Sequence, residues 1–103
     1  MVEVTEQNFS ELTQSAQPVV VEFGAEWCGS CQELSATMAE VEKEFADKVV
    51  IGVADADECP DINAQYGIRG LPVVLYFKGG ELRDKSVGSV KKQELMDKIN
   101  ALL

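Results

Sequence analysis

With 103 residues, 46% hydrophobic and 26% charged, the chain has the length and balance of one globular domain, which excludes a two-domain enzyme with a separate cofactor module. Nine Lys and Arg against eighteen Asp and Glu give a net charge of -9. That balance repels phosphate backbones and anionic lipid, so nucleic acid and membrane surfaces are excluded as expected partners.

The N-terminal M-V-E-V-T-E-Q-N-F-S carries neither the basic nor the apolar region of a signal peptide, and no stretch reaches the apolar length of a membrane span. The expected compartment is the cytoplasm. Thr5, ahead of E-Q-N-F-S-E-L, predicts the cap of a short first helix that ends before Pro18. From Val19 to Phe23 the run V-V-V-E-F is β-branched and aromatic without clean alternation, the pattern of a strand covered on both faces, in which Glu22 stands out. Cys31, Leu34, Met38, Val41 and Phe45 then recur at spacings of three and four and predict an amphipathic helix.

Lys48 to Ala54 predicts a second buried strand, and D-A-D-E-C-P-D supplies acidic and capping residues for a short helix through Ile62 and Tyr66 that Gly67 ends. V-V-L-Y-F after Pro72 is a third strand, joined through Gly79-Gly80 to the polar strand E-L-R-D-K-S-V. Leu95, Ile99 and Leu102 mark a closing helix. The order is helix, strand, helix, strand, short helix, strand, strand, helix. It predicts an α/β fold over residues 1–103 as a single domain, with a mixed sheet of four to five strands and helices on both faces.

The sharpest chemical signal is W-C-G-S-C, Trp27 to Cys31, where the first strand turns into the amphipathic helix. Three cysteines cannot all pair within one chain, so a structural disulfide framework is not expected. A thiolate at a helix N-terminus faces free backbone N–H groups and the positive end of the helix dipole, which lowers its pKa and marks Cys28 as the nucleophile. Cys31, one turn inside, is placed to resolve a mixed disulfide formed on Cys28. Gly29 allows close approach of a substrate, Ser30 offers a hydroxyl, and Trp27 supplies an apolar contact. Two other readings of the pair stand beside this one: half of a zinc site, whose remaining ligands are missing because the chain has no histidine and no second C-x-x-C, and two cysteines that merely fill the core.

Taken together, V-V-V-E-F-G-A-E-W-C-G-S-C, Y-G-I-R-G-L-P, F-K-G-G-E and the terminal amphipathic helix resemble the thioredoxin family over nearly the whole chain. The resemblance implies the thioredoxin fold and dithiol-disulfide exchange on client proteins. It also implies a thioredoxin reductase as electron donor and no bound cofactor; a monomer is the default expectation, and no metal is expected because further ligands are missing. It places Leu71 and Pro72 at the family's cis-proline site, where a substrate backbone pairs in extended form beside the cysteines, whereas an X-Pro bond read by itself is trans. Glu22 falls where the family usually carries a buried Asp that relays the proton of the resolving cysteine. Desolvation there raises the pKa of Glu22 toward the range of a general base, while the competing expectation is a carboxylate reaching water at the sheet margin.

Three further positions depart from the family pattern. Ser30 stands for a proline, Gln32 for a common lysine and Ala36 for a helix-kinking proline, so the redox potential and helix shape are expected to differ. Cys59 matches a non-active-site cysteine of animal thioredoxins, but Tyr66 occupies the place of its partner. A buried or capping thiol is the expectation, with glutathionylation or dimerisation through Cys59 as the alternative. The acids from Asp55 to Glu58 complement a helix start, or favour basic clients. The expected function is reduction of protein disulfides. The alternatives are an oxidase- or isomerase-leaning or glutathione-linked member, and a binding module whose redox activity is incidental.

Overall fold

A computed structural model describes all residues from Met1 to Leu103. The V-V-V-E-F run forms β2 (Val19–Gly24) at the centre of a five-stranded sheet and is buried at every position. Its neighbours are β3 (Val50–Asp55), parallel, and β4 (Val73–Lys78), antiparallel. A short strand β1 (Val2–Val4) pairs parallel with β3 at one edge, and β5 (Glu81–Val87) pairs antiparallel with β4 at the other. The order β1-β3-β2-β4-β5 is the mixed sheet expected, with β3 beside β2 as a βαβ crossover requires.

Side-chain parity divides the core. Val19, Val21 and Phe23 of β2 and Val73, Leu75 and Phe77 of β4 share one face with Phe9 of α1 (Phe9–Thr13) and Ile62 of α3 (Pro60–Tyr66). Val20 and, from β4, Val74 and Tyr76 point the other way. They pack against Leu34, Met38, Val41 and Phe45 of α2 (Gly29–Phe45) and Leu95 and Ile99 of α4 (Lys92–Asn100). Each fully buried side chain of this size contributes roughly 1.5–3 kcal/mol. Strand parity puts Glu22, two residues after Val20, on the α2 side of the sheet. The chain reaches that helix through the turn that carries Cys28, so the sheet delivers a carboxylate beneath the helix that bears the thiols.

The structure corrects the element boundaries at three places. The first helix begins at Phe9 after Asn8, while Thr5 closes the preceding turn. There the Asn8 N–H donates to Thr5 Oγ1 at 3.2 Å and the Thr5 N–H to Asn8 Oδ1 at 2.8 Å. Lys48 belongs to a 3-10 turn, Ala46–Lys48, and β3 starts at Val50. Strand β1 was not among the predicted elements. It lies close against Gly52, where a Cβ would stand 2.6 Å from Val4 Cγ2. The N-terminal segment is also tied to α3, because the Glu6 carboxylate accepts from the Asp61 N–H at 2.8 Å and the Ile62 N–H at 3.3 Å.

Candidate active site

The turn after β2 brings Cys28 to the cap position of α2 in extended conformation, with φ -101° and ψ 105°. Its Sγ accepts from the Cys31 N–H at 3.2 Å, so one of the free donors of the helix start points at this sulfur. Cys28 and Cys31 are joined as a disulfide with their Cα atoms 5.3 Å apart. They form a small apolar cluster with Ala25, against which Leu71 packs. Cys28 is the more accessible of the two, 8% exposed against 1% for Cys31. Ser30 Oγ lies 3.4 Å from Cys28 Sγ, and the Gln32 side chain donates to the Ala25 carbonyl at 3.3 Å. Gly29, the first residue of α2, has open space around its α-carbon.

Trp27 is the most exposed large apolar side chain, at 70%, and its Nε1–H donates to Asp57 Oδ2 at 2.8 Å. Asp55 in turn accepts the Asp57 N–H at 3.0 Å, so two acids of the 55–58 run have local work in a turn and in orienting the indole. A groove of about 380 Å³ runs beside the tryptophan, lined by Ala56, Asp57, Asn63, Arg69 and Leu71 among others. The Leu71-Pro72 bond is cis, as the resemblance implied against the ordinary preference of X-Pro bonds.

Behind the cysteines lies a second cavity of about 340 Å³, lined by Glu22, Gly24, Cys31, Ser35 and Cys59 and rimmed by Glu3, Glu26, Asp55 and Glu58. Glu22 is fully buried, which removes the alternative of a carboxylate at the sheet margin. The Ser35 hydroxyl donates to Glu22 Oε1 at 2.7 Å, and Oε2 is buried without a partner. Desolvation pushes the Glu22 carboxyl above its ordinary value, against a smaller opposing effect of the Ser35 hydrogen bond. A Cβ on residue 24 would stand 2.9 Å from Cys31 Cβ, 3.2 Å from Cys31 Sγ and 3.3 Å from Glu22 Oε2. Only glycine leaves that space open.

Cys59 is buried at the cap position of α3, 1% exposed, consistent with the expected buried or capping thiol. Burial first, and then the charges of Glu6, Asp55 and Glu58, raise its pKa. No group of three or more His, Cys, Asp or Glu side chains converges as a metal-binding set. Sequence reasoning singled out Glu22, the cysteines and Leu71-Pro72 but missed Ser35, Gly24 and the partner of Trp27. A signal for Ser35 was present, since it stands four residues after Cys31 and shares its helix face.

A family model described as Thioredoxin matches residues 1–101. A curated relative named Thioredoxin, from Rickettsia felis (strain ATCC VR-1525 / URRWXCal2), is 42% identical over 98 residues, covering 94% of this chain and 93% of the relative. A Thioredoxin from Acidithiobacillus ferridurans is 38% identical over 93 residues, 89% of this chain and 86% of the relative. Thioredoxin M-type, chloroplastic, of Spinacia oleracea is 37% identical over 102 residues, 98% of this chain and 56% of the relative.

Proposed function

The chain belongs to the thioredoxin family and is a thiol-disulfide oxidoreductase of the protein-disulfide reductase class, and on that premise we propose the role of each residue in the exchange. In the reduced protein Cys28, as thiolate, attacks one sulfur of a client disulfide. The client S–S bond breaks, a mixed disulfide forms on Cys28, and the first client thiolate leaves with the electron pair. Cys31 then gives its proton to Glu22 and attacks Cys28 Sγ, forming the Cys28–Cys31 disulfide and releasing the second client thiolate. Two electrons pass to the client, and a thioredoxin reductase restores the dithiol.

The observation that carries this division of labour is the asymmetry at the start of α2. Cys28 is the more accessible of the two and its sulfur accepts a helix N–H, while Cys31 is almost fully buried and lines the cavity that holds Glu22. The client lies in extended form over Trp27, Gly29, Ser30, Leu71 and Pro72, beside the cysteines. The protein works as a monomeric single domain of residues 1–103 in the cytoplasm, carrying electrons from the reductase to clients. No helix is long and apolar enough to cross a membrane. To test the roles, the two cysteine variants are mixed with a disulfide-bonded client. Cys31→Ser accumulates a mixed disulfide at Cys28, and Cys28→Ser accumulates none; adducts on both in equal amount refute the assignment.

A second reading rests on Ser30, whose hydroxyl lies 3.4 Å from Cys28 Sγ. A hydrogen bond to the thiolate stabilises the dithiol form and makes the pair more oxidising, toward a glutathione-linked or oxidase-leaning role. Titration in thiol-disulfide buffers decides between them. A potential near about -270 mV supports the general reductant, and one near about -200 mV supports the specialised oxidant.

A further inference from the structure

We propose that Ser35 is a positioning residue for the resolving step, holding Glu22 Oε1 so that Oε2 faces Cys31 across the space left open by Gly24. The inference rests on the reading of Glu22 as the acceptor of the Cys31 proton, and it extends that reading to two residues outside the C-x-x-C motif.

The geometry comes from three elements. On β2, parity sends Glu22 toward α2 and leaves its carboxylate fully buried. On α2, Ser35 lies one turn beyond Cys31 on the same face and donates its hydroxyl to Oε1 at 2.7 Å. A carboxylate held at one oxygen loses rotation about its last bond, and the other oxygen takes a fixed direction. That other oxygen, Oε2, is buried and accepts nothing else. Oε2 and Cys31 Sγ both lie within 3.3 Å of the point where residue 24 would carry a Cβ, so they are no more than twice that distance apart. Both atoms thus border the same point beside Gly24, and Oε2 is the unpartnered acceptor for the proton that leaves Cys31.

The surroundings leave this carboxylate without a competing partner. The titratable groups that share its cavity are the carboxylates of Glu3, Glu26, Asp55 and Glu58 and the sulfurs of Cys31 and Cys59. No Lys or Arg lines it, so no cation holds Glu22 ionised and the hydroxyl of Ser35 is the one hydrogen bond that favours the charged form. Ser35 therefore sets two things at once: where Oε2 points and how readily the carboxyl gives up its proton before accepting that of Cys31. The electron count is unchanged from the exchange above. The Cys31 S–H bond breaks, its proton goes to Oε2, the new bond forms between Cys31 Sγ and Cys28 Sγ, and the client thiolate leaves.

The test follows the two steps separately with dithiobis(nitrobenzoate) as the disulfide. The first thionitrobenzoate released reports attack by Cys28, and the second reports resolution by Cys31. Wild type, Ser35→Ala, Ser35→Thr, Glu22→Gln and the Glu22→Gln, Ser35→Ala pair are compared across pH, and the Glu22 carboxyl carbon is titrated by NMR in the first three. Ser35→Ala is expected to move both the carboxyl titration and the pH midpoint of the second release upward. At neutral pH it slows that release by about tenfold, the weight of a lost hydrogen bond to a charged group. First release stays unchanged, Ser35→Thr restores the wild-type profile, and Ser35→Ala adds nothing in the Glu22→Gln background.

Slow resolution in Glu22→Gln with an unmoved profile in Ser35→Ala overturns the positioning role alone. Equal slowing by Ser35→Ala with and without Glu22 also overturns it, since a general packing defect acts in both backgrounds. Resolution at the wild-type rate in Glu22→Gln overturns the acceptor reading, and the proposal falls with it.

Discussion

Replacement of Glu22 by Gln is expected to stabilise the folded chain at neutral pH, because a buried carboxylate with one hydrogen bond and no cation is costly to ionise. Burial raises the folded-state pKa above the ordinary 4.5. Below pH 4.5 the group is protonated in both folded and unfolded chains, and its favourable share of stability is fully present. Between pH 4.5 and the raised midpoint the folded chain keeps a proton that the unfolded chain has lost, so stability falls as pH rises. One group contributes a slope of at most ~1.4 kcal/mol per pH unit across that window, and the loss levels off once the folded carboxyl ionises. Gln is nearly the same shape, stays neutral, and its amide oxygen accepts from Ser35 in place of Oε1. The difference between variant and wild type should therefore start within about 1 kcal/mol at low pH and grow in favour of Gln along that slope. Urea denaturation of the oxidised proteins at a series of pH values measures it directly, with the other carboxylates common to both chains. Curves that stay parallel from acid to neutral pH would mean that Glu22 is solvated or paired, and would refute the desolvation argument.

Gly24→Ala puts a Cβ 2.9 Å from Cys31 Cβ, and the overpacking should cost about 1–3 kcal/mol in denaturation and slow the second release; full stability would show that the space is not confined. In the fully reduced protein, iodoacetamide at neutral pH should alkylate Cys28 first and Cys59 only after denaturation, because Cys59 is 1% exposed with a raised pKa. Mass mapping that finds native Cys59 modified at the rate of Cys28 would contradict its burial. Tyr76, buried with its hydroxyl 3.0 Å from Ser86 and its pKa pushed up to about 12, should lose about 1 kcal/mol of stability as Tyr76→Phe. Exchange rates should not change, since Ser86 still donates to Glu94 Oε2 and accepts from the Lys98 ammonium.

Long apolar periodicity was legible because it is local. The three-and-four spacing from Cys31 to Phe45 became α2, and the β-branched runs became β2, β3 and β4. Strand β1 was hidden because V-E-V is three residues long and its place depends on a distant glycine, Gly52, that lets Val4 approach. Lys48 was read into β3 because polar and apolar strand ends differ little in sequence, while the 3-10 turn that holds it is set by how α2 stops. In the site, the motif and its position gave the cysteines, but the cis bond at Pro72 was readable only through family resemblance, since nothing in a Leu-Pro pair specifies the isomer.

The remaining residues of the site, Gly24 and Ser35, are ordinary in any local window, and their meaning arises only when parity and helix phase are combined. Two residues after Val20 places Glu22 under α2, and four residues after Cys31 places Ser35 over Glu22. A glutamate carries one more methylene than the aspartate usual at this position, so its carboxyl extends farther from β2 toward the helix. That reach needs room where the chain passes Cys31, which the missing side chain of residue 24 provides, and a donor one turn up the helix, which Ser35 provides. The three residues therefore act as a set. Shortening the acid by Glu22→Asp while Gly24 and Ser35 stay should withdraw the carboxyl from the serine, leave the Cβ space unfilled, and slow the Cys31 step more than the Cys28 step. A Glu22→Asp protein that resolves as fast as wild type and still titrates in response to Ser35→Ala would show that the extra methylene is not what couples them.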